Sequence, residues 1–591
     1  MRRAWLAAFL LVSAVCAPAA AELDVQHYEI HVDVDLDSEN ITATTHVTAL
    51  ADGADTITLD LVGYDVDSVT VDGLPAPFER REGTLHITPV APPDAGASTV
   101  VSVDYAGAPV DYVEPWGTWG VVFRADRVFT VNVTHGARHW FPSHDVLRDK
   151  ATVRIHVTGP SDWTTAAPGL LEQTDVEGDR TTTTWFADFP VATYLIHFGL
   201  GRYEVIREEH AGVPYEYYLL PGSWEGGGRA LFAHAPAALA LFTARYGDYP
   251  FPKVAFDEID LGGAVEQPSC VSIGSQIIQA GDRYDEVIAH EMAHTWFQGV
   301  VTVDSWENLW LSEGLATYHE ALYHEHTGGD LADYTTSLAL SYRSNAEGVE
   351  GVFPLYDPEV LFGVTTYRKG ALVFHTLSGL LGPEVFHAVL VEWIDRYRWN
   401  SAGTEAFREV AEDVSGVDLV AFFDEWVYGK GWPRYELAWR YRGDDGELDV
   451  ELRQTQPEDW ATFTTPITLE LEGANDTARV EIAPSGREAT ATFAVAFSPE
   501  GVTLDPDRWL LAQVANGEFR GTADGPDPEP EPTPEPTPEP APEPGPDVGI
   551  DVDGDDTSSH DPDASTSGET GGDCGCHTAR PSPWTGWLRR R

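Results

Sequence analysis

The sequence predicts a multidomain α+β protein with four parts after a short leader. These are an N-terminal antiparallel β domain over 22–202, a mainly helical domain over 203–432, a small β-sandwich over 433–518 and a disordered acidic, proline-rich tail over 519–591. Three observations carry this. Val- and Thr-rich runs such as HYEIHVDVDLD and ITATTHVTAL alternate with period two, with turn residues every eight to twelve positions. Helical patterns such as GRALFAHAPAALALFTARYG then take over. Finally, PEPEPTPEPTPEPAPEP is a repeat that extends in water and cannot build a core. A chain of 591 residues is also too long for one core.

The leader, MRRAWLAAFLLVSAVCAPAAAE, places Arg2 and Arg3 before a short apolar run and ends in Ala19–Ala21, a small-residue cleavage site. It predicts a signal peptide over 1–21 and a secreted, periplasmic or cell-surface location. The run is shorter than the ~20 residues of a spanning helix, so no transmembrane helix is expected in the mature chain. Beyond the leader only Cys270, Cys574 and Cys576 remain, leaving the globular body without a disulfide pair. Cys270 reads as a small buried apolar residue.

In the helical region, DEVIAHEMAHTWFQG starts on acidic Asp285 and Glu286, contains no proline and reaches Gly299. His290 and His294, four apart, project from one helical face and can reach one zinc ion. Glu291 points about a third of a turn away, the position of a general base beside the metal's open corner. WLSEG opens a second helical pattern carrying Glu313, with eighteen residues between it and His294. Two histidines and a carboxylate form a three-ligand, catalytic type of zinc site with its fourth position open. Glu320, two turns beyond Glu313, is a candidate to orient a ligand histidine. His319, His324 and His326 are expected to line a polar helix face.

The stretch HEMAHTWFQGVVTVDSWENLWLSEGLATYHE resembles the zinc core of the aminopeptidase N family of gluzincin metallopeptidases, which includes the leukotriene hydrolase branch. The resemblance implies a thermolysin-like catalytic domain, one zinc ion held by His290, His294 and Glu313, and Glu291 as base. GGAVEQP resembles the family's Gly-Ala-Met-Glu-Asn segment, with Val265 and Gln267 in place of Met and Asn. It implies that Gly263, Ala264 and Glu266 bind substrate, Glu266 through the free α-ammonium and the backbone as an added strand. TTYRKGA resembles the Tyr-x-Lys-Gly-Ala segment, which makes Tyr367 the donor to the oxyanion. In FTVNVTHGAR, Val133 stands where many relatives place a Gln or Glu that helps hold the amino terminus.

Beyond Trp432, runs such as YELAWRYRG and ITLELEG alternate as the β-sandwich. The resemblance therefore implies a short form lacking the helical C-terminal domain of longer relatives, and epoxide hydrolysis gains no support. The acidic segment after the Pro-Glu repeat reads as solvated tail, and CGCHTARPSPWTGWLRRR resembles Cys-rich, Arg-terminated sorting tails without their hydrophobic segment. The formal net charge of −60, with lysine only at Lys150, Lys253, Lys369 and Lys430, excludes nucleic acid and anionic membrane as partners. Peptides are the expected substrates and a monomer the expected state. The leading function is a zinc aminopeptidase. A zinc endopeptidase of looser specificity, and a non-catalytic surface-displayed binding protein, stand as alternatives.

Overall fold

The computed structural model describes residues 23–114 and 117–520; the leader and the tail beyond residue 520, with Cys574 and Cys576, lie outside them. Strand Asp24–Asp35 sends Val25, Tyr28, Ile30, Val32 and Val34 inward, while Glu29, His31 and Asp33 face outward. That is the pleat's two-residue period acting on the sequence. It lies at the middle of an eight-stranded sheet, flanked by Asn40–Leu50 and Lys150–Pro160. Its pairing with Lys150–Pro160 is parallel, so this sheet departs from the antiparallel expectation at one ladder. A five-stranded and a three-stranded sheet complete the N-terminal β region.

The expected helical region opens with strands. Glu204–His210 and Val213–Leu219 form a hairpin that joins Val254–Ile259, Val271–Gly274 and Ala264–Val265 in a five-stranded sheet. The turn Ala211–Gly212, both at positive φ, makes the hairpin possible. Ala264–Val265 forms one edge of this sheet.

Helices then dominate. Trp310–His326 packs against Asp285–Ala293 and Gly370–Leu381, and Trp310 stacks on Phe374 with ring centroids 4.9 Å apart. Burial of an aromatic side chain of this size contributes about 1.5–3 kcal/mol. Helix Leu331–Asn345 is capped by Asp330, which accepts from the Asp333 amide at 2.8 Å. Gly382, at φ 87°, and Pro383 end one helix and start the next at a bend of 119°. Among the described residues no single helix is long and apolar enough to cross a membrane.

The C-terminal strands form a four-stranded and a three-stranded sheet that share a core of Leu437, Leu448, Val450, Ile467, Leu469 and Leu471. The fold is thus mixed α+β, with a β-rich N-terminal part and a helical centre.

Candidate active site

The first ligand helix, Asp285–Ala293, carries acidic residues in its first turn and leaves α-geometry just after His294. Phe297 and Gln298 adopt non-helical dihedrals, and the Phe297 carbonyl turns back to within 3.4 Å of His294 Nδ1. Ser312 Oγ lies 2.9 Å from the same carbonyl and 3.2 Å from Nδ1. A carbonyl can only accept, so Nδ1 of His294 is the donor, and in the neutral ring that a metal requires Nε2 is then bare. For His290, Nδ1 lies 2.8 Å from Glu320 Oε1, whose other oxygen accepts from Tyr334 at 2.7 Å. The same reasoning leaves His290 Nε2 bare.

Those two nitrogens are 3.0 Å apart, and Glu313 Oε2 lies 3.2 Å from one and 3.5 Å from the other. Three buried electron-pair donors thus face one another. Zinc bonds of roughly 2.0–2.2 Å in tetrahedral array put ligand atoms about 3.3 Å apart. The residues fit one zinc ion, and a shared cation removes the repulsion between the lone pairs. His290, His294 and Glu313 are the residues that could hold it.

Glu291 is buried, and its Oε2 has no hydrogen-bond partner. Burial pushes its carboxyl up to about 7, against the pull of the two histidines. Tyr367 follows from a contact between glycines. A Cβ at Gly314 would come within 2.9 Å of the Gly370 backbone, and one at Gly370 within 2.9 Å of Gly314 Cα. The absence of side chains lets the helices bearing Glu313 and Tyr367 cross closely, and the Tyr367 ring stacks on His290 at 6.1 Å. Glu350 fixes the turn Thr365–Lys369 by accepting from the Val364 and Thr365 amides at 2.6 and 3.2 Å. Burial, then the carboxylate of Glu313, holds the Tyr367 phenol well above its ordinary pKa, so it stays a donor.

Glu266 accepts from Tyr194 at 2.8 Å, and Gln298 Nε2 donates to the same phenol. Gln267, in the position of the family's Asn, turns away and accepts from the Ser272 amide at 3.0 Å. A cavity of about 200 Å³ joins these groups; Gly263, Ala264, Val265 and Val133 line it, as do Trp119 and Trp306. Five carboxylates, Glu266, Glu291, Glu313, Glu320 and Glu350, reach its wall beside one guanidinium, Arg368. A cationic substrate end suits that field better than an anionic one.

The structure therefore brings together every residue the sequence nominated for the site, and puts Glu320 on His290. Its surprise is His319, expected on a polar face. It is fully buried, with Nε2 2.6 Å from Tyr246 Oη and Nδ1 2.7 Å from the Leu315 carbonyl, while His324 and His326 are exposed. Sequence reasoning missed Tyr194, Tyr334 and Ser312. Only Ser312 carried a local signal, as the neighbour of Glu313 in the first turn of its helix.

Residues 243–426 match the profile of the Peptidase family M1 domain. "Probable aminopeptidase 2" of Sulfurisphaera tokodaii is 25% identical over 485 residues, which is 78% of this chain and 60% of that protein. "Leucyl aminopeptidase" of Saccharolobus solfataricus is 22% identical over 441 residues, 70% and 55% of the two chains. "Aminopeptidase M1" of Arabidopsis thaliana is 27% identical over 337 residues, 53% and 38%. The chain thus spans 38–60% of the length of these relatives. Among solved structures, a mutant M1 zinc metallopeptidase from Deinococcus radiodurans aligns with TM-score 0.63 and 25% identity over 70% of this chain and 95% of its own. A structure described as bound to a Tyr-Ser-Ala substrate, from the same organism, aligns with TM-score 0.63 and 24% identity, covering 68% and 94%.

Proposed function

The chain belongs to the aminopeptidase N family, and on that premise we propose that it is a zinc-dependent aminopeptidase that removes the N-terminal residue of peptides. One observation carries the reading: Glu266 lies on the same cavity wall as His290, His294, Glu313 and Glu291, whose Oε2 has no hydrogen-bond partner. When bound, zinc supplies Lewis acidity toward water and a carbonyl oxygen.

The remaining work falls to the chain. Glu266, oriented by Tyr194, takes the substrate's α-ammonium, because a buried ammonium needs a carboxylate partner. The free edge of Ala264–Val265 aligns the peptide backbone as an added strand. With the amine held there, the first peptide bond is the one in reach of Glu291. Glu291 Oε2 accepts a proton from the attacking water and returns it to the departing amine. Tyr367 donates to the carbonyl oxygen as charge develops on it. His290 and His294 keep Nε2 bare because Glu320 and the Phe297 carbonyl hold Nδ1–H.

Export belongs to the same proposal. It is supported by Arg2 and Arg3 ahead of the apolar run and by Ala19–Ala21. The decisive experiment compares a free-amine peptide with its N-acetylated twin. The reading expects rapid turnover of the first and little of the second. Equal rates would reject exopeptidase action, and a wild type as inert as Glu291→Gln on a broad peptide panel would favour a binding protein.

A further inference from the structure

A second cluster of metal-ligand chemistry lies outside the cavity. His197, from the segment leading into strand Gly199–Gly201, meets Asp257 on strand Val254–Ile259 and Cys270 beside strand Val271–Gly274. One ligand atom from each lies within 4.8 Å of the other two, and all three residues are fully buried. Their polar atoms are poorly satisfied. Both ring nitrogens of His197 and Oδ2 of Asp257 lack a hydrogen-bond partner, although Oδ1 accepts from Ser272 at 2.9 Å. Oδ2 is pressed toward Gly199, where a Cβ would lie only 2.6 Å away.

Buried polar atoms left unpaired are rare and call for an explanation. A His–Asp ion pair does not provide one, because His197 Nε2 stands 3.7 Å from Asp257 Oδ1, beyond hydrogen-bond length. Neighbouring cations do not either, for no Lys or Arg stands within 4.0 Å of Asp257 among the described residues. Lys253 is bound to Glu216 at 3.2 Å, and Arg127, whose Nε and Nη1 also lack hydrogen-bond partners, reaches only Ser275 at 3.4 Å and Asp126 at 3.9 Å. Imidazole, thiolate and carboxylate are all zinc ligands, with bonds of about 2.0–2.3 Å. One carboxylate, one thiolate and a neutral imidazole balance the charge of a divalent ion, which removes the cost of burying Asp257 and Cys270 as anions.

We infer that His197, Asp257 and Cys270 hold a second zinc ion, buried away from the cavity. It would tie the N-terminal β region to the sheet that carries Ala264–Val265. Cys270 is four residues beyond Glu266, so the same ion would brace the loop that presents Glu266. Being enclosed on all sides, the ion would enter as the chain folds and leave slowly.

The test is zinc content and cobalt spectroscopy of the full-length protein. Wild type is expected to hold two equivalents of zinc, with His294→Ala, His197→Gln and Cys270→Ser each holding one. Brief dialysis against a chelator should remove the equivalent facing the cavity and leave the other. Cobalt-substituted wild type should show a thiolate-to-cobalt charge-transfer band, which no ligand at His290, His294 and Glu313 can produce and which Cys270→Ser abolishes. A single equivalent that disappears in His294→Ala overturns the inference, as does a band that survives Cys270→Ser. Should Cys270→Ser and His197→Gln not fold, the Cys574→Ser/Cys576→Ser protein decides: a retained band supports the buried site and a lost band refutes it. Failure of the aminopeptidase reading would appear as missing turnover and would leave this second equivalent in place.

Discussion

Glu320 touches the zinc site only through His290, which makes it a sharp test of how the fold sets metal affinity. Its Oε1 receives the buried His290 Nδ1 proton at 2.8 Å, and its Oε2 receives the half-buried Tyr334 hydroxyl at 2.7 Å. A hydrogen bond to a charged group contributes about 1.5–3 kcal/mol. At about 1.4 kcal/mol per decade, losing it should weaken zinc binding by roughly 10- to 100-fold. Glu320→Gln keeps an acceptor for Nδ1 and removes only the charge, so it should sit near the tenfold end. Glu320→Ala should approach the hundredfold end, because the ring loses both its tautomer lock and its orientation. The assay is competition for zinc against a chelator of known affinity, followed by peptidase turnover at saturating zinc. Turnover should recover in both variants far more than affinity does. If Glu320→Ala binds zinc as tightly as wild type, or stays inactive when fully loaded, the positioning argument is wrong.

Other parts of the site make separate predictions. Tyr367→Phe should lower kcat by about 100- to 1,000-fold with little change in KM, since the phenol acts only on developing charge; steady-state kinetics on one dipeptide substrate checks this. Val133→Gln restores a hydrogen-bonding side chain on the cavity wall and should lower KM for free-amine peptides by about tenfold, the worth of one good hydrogen bond. An unchanged preference over N-acetylated peptides would remove Val133 from any role in amine binding. Lys369 concerns stability: it is fully buried, with Nζ 3.1 Å from the Gly429 carbonyl, and burial pushes its ammonium down to about 7. With an unfolded value near ~10.4, the unfolded chain holds the extra proton between these limits, so this residue's contribution rises with pH from about 7 to ~10 and its penalty is complete below 7. Denaturant titrations of wild type and Lys369→Met should therefore diverge in favour of wild type as pH rises through that window, and parallel profiles would contradict the shift.

How much of this was legible in the chain follows from the range of each interaction. His290, Glu291 and His294 lie within one and a half turns of one helix, so spacing alone fixes which of them share a face. Glu313 and Glu320, two turns apart on the next helix, obey the same rule, and the structure hangs one on each side of the His290 ring. Tyr194 is 72 residues from Glu266 and Tyr334 is 14 from Glu320, and no periodicity links either pair. The hairpin 204–219 was hidden because its strands bury few residues on the outer arm, which blurs the alternation. His319 shows a different limit: it and His326 are seven apart and share a face, so a helical wheel cannot tell them apart. What separates them is where the helix leaves the body, for Tyr323 is still buried while every residue from 324 to 330 is exposed. Local pattern thus names the ligands, and packing decides which polar groups around them are held away from water. The cluster of His197, Asp257 and Cys270 follows from this. Cys270 reads locally as core, and its thiol meets His197 and Asp257 only because three separate segments of the chain come together.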